Sequence, residues 1–247
     1  MLKFITPNWS APAHIHAFST TRLGGSSRDP YQGLNLALHV QDDPVIVLKN
    51  RILLADSLAL PGPLFWLKQT HSTNLLKLDA DSSDSVMADA IWTPLKNKPC
   101  IVMTADCLPV LITDKKGSFV SAIHAGWRGL SDGIIEQSIV AICDSLKINS
   151  TELLVWLGPC IGRHAFQVGN EVRAEFIAQD KLAVSAFTAD KDRWLADLQQ
   201  LAMLRLAPFN ITQITRSDHC TFTESELFYS YRRDGNTGRM ASLIWID

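Results

Sequence analysis

Two histidines and one cysteine are the side chains of this sequence that best suit a metal site. They are His71 in the segment KQTH, Cys107 in TADCLP and His124 in HAGWRG. Two imidazole nitrogens and one thiolate suit tetrahedral zinc, and three protein ligands leave the fourth position that a catalytic zinc keeps for water or substrate. The separations between them match none of the compact zinc motifs, so spacing alone also leaves them as ordinary core or surface residues.

The same side chains allow two other chemistries. Cys107 as nucleophile with His124 as base would make a cysteine hydrolase that cleaves an amide. Two histidines and one cysteine also describe a blue-copper centre. A multicopper oxidase, however, needs more imidazoles than the seven histidines of this chain could plausibly bring together. His71 as a third ligand favours a metal over the cysteine hydrolase, and copper is the disfavoured metal.

Four further side chains are candidates for binding substrate. Arg22 lies beside two glycines in a predicted loop, and arginine grips an oxyanion with two hydrogen bonds. Asn35 interrupts an apolar segment, where it could orient a base or a hydroxyl group or lock a turn. Arg232 and Arg233 belong to the segment 229–233, which as a strand would point at least one arginine into a cleft. Arg22 has a structural alternative in a surface turn, and one of Arg232 and Arg233 is expected to be structural.

Hydrophobic periodicity predicts the elements that position these side chains. Helices are expected over 44–58, 130–146, 168–178 and 191–206, and strands over 15–19, 100–104, 108–113, 119–124, 153–157 and 240–246. If strands 108–113 and 119–124 pair as a hairpin, Cys107 and His124 come within reach of each other. Asp106 would then point to the opposite face, in a supporting role.

The mixed order of strands and helices predicts the fold class. Closely spaced strands followed by a long helix favour an α+β fold, with a mixed β-sheet packed by helices. A chain of 247 residues with 47% hydrophobic residues can bury a full core, and we expect one domain over residues 1–247.

Composition excludes several classes of partner. The formal net charge is −2 and no block of like charges is present, so neither nucleic acid nor an anionic membrane is expected as a partner. No apolar run approaches a membrane span, and the N-terminus does not read as a signal peptide. Five cysteines without a CxxC pair argue against a disulfide framework. We expect a cytoplasmic protein that binds a small molecule, with no obligate protein partner evident.

The sequence resembles the YfiH family over essentially its whole length. The resemblance is carried, in order, by FSTTRLGG at 18–25, GLNL at 33–36, QTH at 69–71, ADA at 88–90, TADCLP at 104–109, HAGWRG at 124–129, GPCIG at 158–162, YSYRR at 229–233 and TGR at 237–239. The zinc ligands of that family match His71, Cys107 and His124. The resemblance therefore implies one zinc per chain on these residues, which are also the expected catalytic residues.

Members of that family have been named polyphenol oxidase, purine nucleoside phosphorylase and peptidoglycan editing factor. The resemblance implies a zinc-dependent purine nucleoside phosphorylase acting on adenosine, inosine, guanosine and methylthioadenosine, with arginines binding phosphate, and it extends to adenosine deaminase activity. The usual deaminase signature is missing, because Ser72 and Thr73 follow His71 and no CxxC exists. The alternative is a zinc or cysteine amide hydrolase that edits peptidoglycan precursors, with a UDP-MurNAc-amino acid as the sugar-nucleotide substrate. Copper polyphenol oxidase ranks last.

Overall fold

The computed structural model describes residues 2–60, 64–79, 82 and 85–247. The helices are α1 (Pro44–Ser57), α2 (Trp127–Ser131), α3 (Ile134–Leu146), α4 (Asn170–Gln179), α5 (Leu198–Leu206) and α6 (Tyr231–Asp234). The strands are β1 (Phe4–Ile5), β2 (Ile15–Thr20), β3 (Leu75–Lys77), β4 (Ala90–Thr93), β5 (Cys100–Thr104), β6 (Leu108–Asp114), β7 (Val120–Ala125), β8 (Leu153–Leu157), β9 (Gln167–Val168), β10 (Phe187–Asp190), β11 (Arg193–Ala196), β12 (Gln213–Arg216) and β13 (Met240–Ile246).

The strands of the described residues form three sheets. The largest has six strands in the order β12-β8-β6-β7-β4-β3, the second has four in the order β1-β2-β13-β5, and a small sheet has three in the order β10-β11-β9. The six-stranded sheet is mixed, because β12 pairs with β8 and β3 pairs with β4 in parallel while its other neighbours are antiparallel.

Apolar side chains alternate between the two faces of each central strand. In β6, Val110 and Ile112 pack against α3 and α5, whereas Leu111 packs into the core between the two larger sheets. In β5, Val102 belongs to that same intersheet core, and Met103 packs on the other side with residues of α1. The layers are therefore helices, six-stranded sheet, four-stranded sheet and α1. Because both faces of each sheet are covered, β5, β6 and β7 are buried along their whole lengths.

The predicted fold class is confirmed, and so are most of the predicted elements. Strands 100–104, 153–157 and 240–246 have the predicted bounds, those at 15–19 and 108–113 are one residue longer, and that at 119–124 is shifted by one residue at both ends. Helix α1 starts where predicted, after Asp43, whose carboxylate accepts a hydrogen bond from Val45 N at 2.8 Å. The predicted helix 130–146 is divided into α2 and α3 by a turn at Gly133, where φ is 87°. The single-domain organisation over residues 1–247 stays a prediction.

Three predicted elements need correction. The segment 191–206 is a helix only from Leu198 onwards, because the residues before the Asp197 cap form β11 between β10 and β9. The helix predicted over 168–178 begins at Asn170, since Val168 pairs with Trp194 in the small sheet. The segment 229–233 is not a strand: a short helix, α6, starts within it, after the Ser230 cap. No helix of the described residues combines the length and apolar character needed to cross a bilayer.

Candidate metal centre and its cavity

Cys107 lies where the chain crosses from the four-stranded to the six-stranded sheet. β5 ends shortly before it and β6 begins at the next residue. Asp106 adopts a left-handed backbone, with φ of 88°. Its carboxylate accepts hydrogen bonds from the Thr221 hydroxyl at 2.7 Å, the Ser230 hydroxyl at 2.9 Å and the Arg232 amide at 2.7 Å. Asp106 therefore holds the crossing in place, in the supporting role expected for it. It does not point to the opposite face as predicted, because with this left-handed backbone it lines the same cavity as Cys107.

His124 reaches the same place from the neighbouring strand. β6 and β7 pair as the predicted antiparallel hairpin, with Pro109 opposite His124. The backbone amide of His124 donates to Asp89 O at 2.7 Å, and the residue is only 4% exposed. The hairpin register thus places His124 beside Cys107, as the sequence predicted.

His71 lies in a loop that is tied to β5 by a glutamine. The Gln69 side chain pairs with the backbone of Met103 in both directions: Nε2 donates to the carbonyl at 2.8 Å, and Oε1 accepts from the amide at 2.7 Å. His71 itself has a left-handed backbone, with φ of 60°. These two hydrogen bonds resemble those between neighbouring strands, and they fix the His71 loop against β5, the strand that precedes Cys107.

Asp89 binds both histidine segments through one fully buried carboxylate. Its Oδ1 accepts from His124 Nδ1 at 2.8 Å and from His71 N at 3.0 Å. Its Oδ2 accepts from the amide and the hydroxyl of Ser72, both at 2.7 Å, and from the Thr70 amide at 3.1 Å. Because Nδ1 of His124 is used in this way, Nε2 is the nitrogen left for a metal.

The three predicted ligands meet in a geometry that fits a metal ion. One ligand atom from each of His71, Cys107 and His124 can be chosen so that all lie within 4.8 Å of one another. Cys107 Sγ lies 3.9 Å from His71 Nε2. Zinc–sulfur and zinc–nitrogen bonds of about 2.3 and 2.1 Å place tetrahedral ligand atoms about 3.3 to 3.6 Å apart, so the Cys107–His71 pair needs only a small contraction. Within the described part of the chain, no other set of three or more His, Cys, Asp or Glu side chains is so arranged.

Charges within the cluster outweigh the effect of burial. Burial raises the pKa of Cys107, but the attraction and hydrogen bonds of His124 and His71 bring it down to about 6. Burial lowers the pKa of His124, but Cys107 and Asp89 raise it to about 9. Burial likewise raises the pKa of Asp89, yet hydrogen bonds from His124 and Ser72 hold it well below its usual range. The thiolate of Cys107, the form that binds metals, is therefore favoured.

A cavity of about 520 Å³ opens over the cluster, within the usual size of small-molecule sites. Aromatic and cationic side chains share its wall: Trp127, Phe166, Tyr231, Arg128, Arg232 and Arg239. His39 and Gln69 also line it. Among the residues that the structure describes, none of these three arginines forms a salt bridge, and Asp106 is the one carboxylate that lines the cavity with them. The cavity is therefore electropositive.

Of the four predicted substrate residues, only Arg232 lines this cavity. Arg22 donates to the carbonyl oxygens of Gln32 and Ser225, at 3.3 and 3.1 Å, and lies over the Tyr229 ring at 4.7 Å. Arg22 thus links loops of its own chain, and its contact with substrate stays a prediction that this geometry does not favour.

Asn35 and Arg233 also have structural partners. Asn35 is fully buried; its Nδ2 donates to Asp42 at 2.9 Å, and its Oδ1 accepts from the Arg239 amide at 3.0 Å. Arg233 donates to the carbonyl oxygens of Thr221, Phe222 and Phe228 and pairs with Asp234. Asn35 therefore locks a turn, which was the alternative to substrate binding given for it from the sequence. It contacts the cavity residue Arg239 without lining the cavity itself.

Several residues of the site have no individual signal in the sequence. Asp89, Arg239 and Gln69 lie in the segments ADA, TGR and QTH that carry the family resemblance, and this is the signal that could have found them. His39 lies in none of these segments. Their positions depend on contacts between distant parts of the chain, which periodicity does not reveal.

Comparison with known proteins identifies the family. Residues 16–247 match the family model described as multi-copper polyphenol oxidoreductase laccase. The chain is 47% identical over 246 residues to the Escherichia coli protein named purine nucleoside phosphorylase YfiH, and the match covers 100% of both. The chain belongs to the YfiH family. A Haemophilus influenzae relative named purine nucleoside phosphorylase is 46% identical over 249 residues, again with 100% of both chains covered.

A solved structure supports the YfiH fold. The crystal structure of a Neisseria meningitidis protein superimposes with a TM-score of 0.92 at 42% sequence identity, covering 99% of both chains. The family resemblance predicted from the sequence is therefore confirmed. His71, Cys107 and His124 fit a metal cofactor in this YfiH chain, by donor type and by distance.

Proposed function

We propose that this YfiH-family chain is a metal-dependent purine nucleoside phosphorylase, which cleaves a nucleoside with inorganic phosphate. The observation that carries the proposal is a His71, Cys107 and His124 cluster beside a cavity with aromatic and cationic walls. The relatives from Escherichia coli and Haemophilus influenzae bear that enzyme name. The substrates we propose are adenosine, inosine, guanosine and methylthioadenosine.

The metal we propose is zinc, one ion per chain, held by His71, Cys107 and His124. Two nitrogens and a thiolate leave a fourth tetrahedral position open. When bound there, zinc supplies a Lewis acid that polarises an oxygen of a ligand. The family description mentions several coppers, but the described residues contain one such group of three side chains and no second group for further ions.

The chain's own residues bind and orient the nucleoside. Trp127, Phe166 and Tyr231 offer ring faces on which a purine base can stack. Arg232 lies over the Phe166 ring at 5.2 Å, and its Nη1 donates to Gln167 O at 2.7 Å, so its side chain is held at the cavity wall. Much of the rate enhancement would come from holding nucleoside and phosphate together in one cavity, since orienting two reactants removes a large entropic barrier.

Adenosine deaminase activity forms part of the proposal as a side reaction. An open metal position can also activate water, but deamination needs a general base as well. Asp106 is the one carboxylate among the described residues that line the cavity, and both of its oxygens accept hydrogen bonds from the protein. We therefore expect deamination to be slower than phosphorolysis.

We also propose that the enzyme works in the cytoplasm on small molecules, without nucleic acid, a membrane or an obligate protein partner. Cys100, Cys107, Cys143, Cys160 and Cys220 are all free thiols. A reducing compartment keeps cysteines in this state.

An amide hydrolase acting on a UDP-MurNAc-amino acid is the second candidate. The distance of 3.9 Å between Cys107 Sγ and His71 Nε2 favours it, because a thiol beside an imidazole is also the arrangement of a cysteine nucleophile and its base. A metal held at the same residues would serve amide hydrolysis as well.

Product analysis separates the two functions. The zinc-loaded protein should release base from inosine or adenosine only with phosphate present, and ribose 1-phosphate should appear in equal amount. Removal of zinc with a chelator should abolish both products, and zinc should restore them. If none of the four nucleosides gives ribose 1-phosphate, phosphorolysis is wrong; turnover of the sugar nucleotide without phosphate would establish the hydrolase.

A further inference from the structure

The electropositive wall of the cavity calls for an anionic ligand. A purine nucleoside is neutral, so it gives no reason for Arg128, Arg232 and Arg239 to line the same cavity. Asp106 also lines this cavity and offsets part of the positive charge, but it is the one carboxylate among the described lining residues, against three arginines. The remaining positive charge of the wall is left for a ligand to balance.

Arg239 differs from the other two arginines in being only partly accessible. Its Nη1 donates to the carbonyl oxygens of Thr237 at 2.7 Å and of Gly238 at 3.0 Å. Among the described residues, no acceptor takes the protons of its Nε and Nη2. The side chain is therefore fixed by one edge of the guanidinium, while the Nε and Nη2 edge keeps the paired donors that bind an oxyanion.

The backbone of Arg239 is held as firmly as its side chain. Its amide donates to Asn35 Oδ1 at 3.0 Å, and its carbonyl accepts from Leu36 N at 3.4 Å. Asn35 is itself tied to Asp42 at 2.9 Å. This support places the guanidinium in advance of ligand binding, so that little conformational entropy is lost when an anion arrives.

All three arginines lie over an aromatic ring, but Arg128 and Arg232 are weaker candidates because both are exposed. Contacts of exposed charges are weakened by solvent. His39 lies beside Arg239 on the cavity wall and, although exposed, adds a second donor. Burial and the nearby charges of Arg239 and Arg51 lower the pKa of His39, so its imidazole is neutral at pH 7 and can donate without repelling the guanidinium.

We propose that Arg239, with His39 beside it, binds the phosphate that attacks the nucleoside. The assignment rests on the proposed phosphorylase function and locates one of its two substrates. Nε and Nη2 of Arg239 donate hydrogen bonds to the phosphate oxygens, and the aromatic side chains of the cavity wall bind the purine base.

The test compares Arg239→Gln, Arg239→Lys and the control Arg193→Gln, an exposed arginine on β11 outside the cavity. Phosphorolysis of inosine gives KM for phosphate, KM for inosine and kcat. In Arg239→Gln we expect KM for phosphate to rise about 10- to 150-fold, the usual cost of a lost charge-assisted contact, while KM for inosine changes less than threefold. Arg239→Lys should lie between, because lysine keeps the charge without the paired donors. Arg193→Gln should match the wild type.

Calorimetric titration with inorganic phosphate, in the absence of nucleoside, tests the subsite independently of catalysis. Zinc content and thermal unfolding show whether each variant keeps its site and fold, and Arg239→Lys decides the matter if Arg239→Gln does not fold. An unchanged KM for phosphate in a folded Arg239 variant would overturn the phosphate subsite but not the phosphorylase function. Arg239-dependent phosphate binding without any phosphorolysis would overturn the phosphorylase function but not the subsite. Tighter Arg239-dependent binding of UDP than of phosphate would reassign the subsite to a nucleotide diphosphate.

Discussion

Asp89→Asn should weaken zinc binding although it changes none of the three proposed metal ligands. Asp89 is fully buried, and its two oxygens accept hydrogen bonds from the segments that carry His71 and His124. An asparagine has nearly the same shape but replaces one acceptor oxygen with an NH2 group. In either orientation that group faces N–H donors: those of His71 and His124, or those of Thr70 and Ser72.

The size of the effect follows from these contacts. Removing one charged partner of a buried, hydrogen-bonded network typically costs about 3 to 5 kcal/mol of unfolding free energy. Loss of the carboxylate behind a ligating histidine typically costs about 10- to 100-fold in metal affinity. Asp89 also holds the His71 amide at 3.0 Å, so we expect the upper part of the second range.

The matched control is Asp114→Asn. Asp114 is 2% exposed and accepts from the amide and hydroxyl of Ser118, at 2.6 and 2.9 Å, at the opposite end of the β6–β7 hairpin. It should lose stability in urea unfolding and keep the zinc affinity of the wild type. Competition for zinc against a chromogenic chelator measures affinity in both variants. If Asp89→Asn competes as well as the wild type, the carboxylate does not position the ligands and the reasoning is refuted.

Three further predictions concern the same site. Cys107→Ala should abolish tight zinc binding and inosine cleavage, whereas Cys143→Ala should keep both and lose about 1 kcal/mol of stability; a fully active Cys107→Ala protein would exclude both its metal and its nucleophile roles. Gly126→Ala should weaken zinc binding about tenfold in chelator competition, because a Cβ there lies 2.8 Å from His71 Cδ2 and 3.1 Å from Cys107 Sγ; unchanged affinity would show that the cluster adapts. The pKa of Asp89 is lower in the folded protein than in the unfolded chain. Its hydrogen bonds therefore stabilise the fold at pH values above the ordinary carboxyl pKa of about 4, and this stabilisation is lost as the pH falls towards the pKa of Asp89 in the folded state. Urea titrations of zinc-free protein should therefore show a steeper loss of stability below pH 4 in the wild type than in Asp89→Asn, and equal slopes would contradict the assignment.

The core of the fold could be predicted because its strands are apolar along their whole lengths. β5, β6 and β7 are buried on both faces, so each is an unbroken hydrophobic run between polar turns. The segment 191–206 was mispredicted because helical spacing continues across Asp197, whose side chain in fact caps α5 by accepting from Gln200 N at 3.0 Å. The strand before that cap exists only because β10 and β9 lie on either side of it. Pairing partners decide such a segment, and local propensity does not.

The metal cluster was predictable chiefly through the family resemblance. Residue type made His71, Cys107 and His124 candidates, and the hairpin register brings two of them together, but spacing alone left them as ordinary core or surface residues. Asp89 gave no comparable signal, since an isolated aspartate has many ordinary roles. Its function arises only when the chain places it against segment 70–72 and against His124, which is 35 positions away in sequence.

The arginines show why charge in a sequence does not predict an anion site. Arg22 stands beside two glycines, where backbone could approach a ligand, yet its guanidinium donates to the carbonyl oxygens of Gln32 and Ser225. Arg239 uses only Nη1 within its own loop, and its backbone is fixed by Asn35, which is 204 positions away. What separates the two arginines is how many of their donors the folded chain already uses. The number of donors already used depends on which carbonyl oxygens the tertiary structure places next to each guanidinium. The arginine in the loop with the stronger sequence motif can therefore be the one that is less available to substrate.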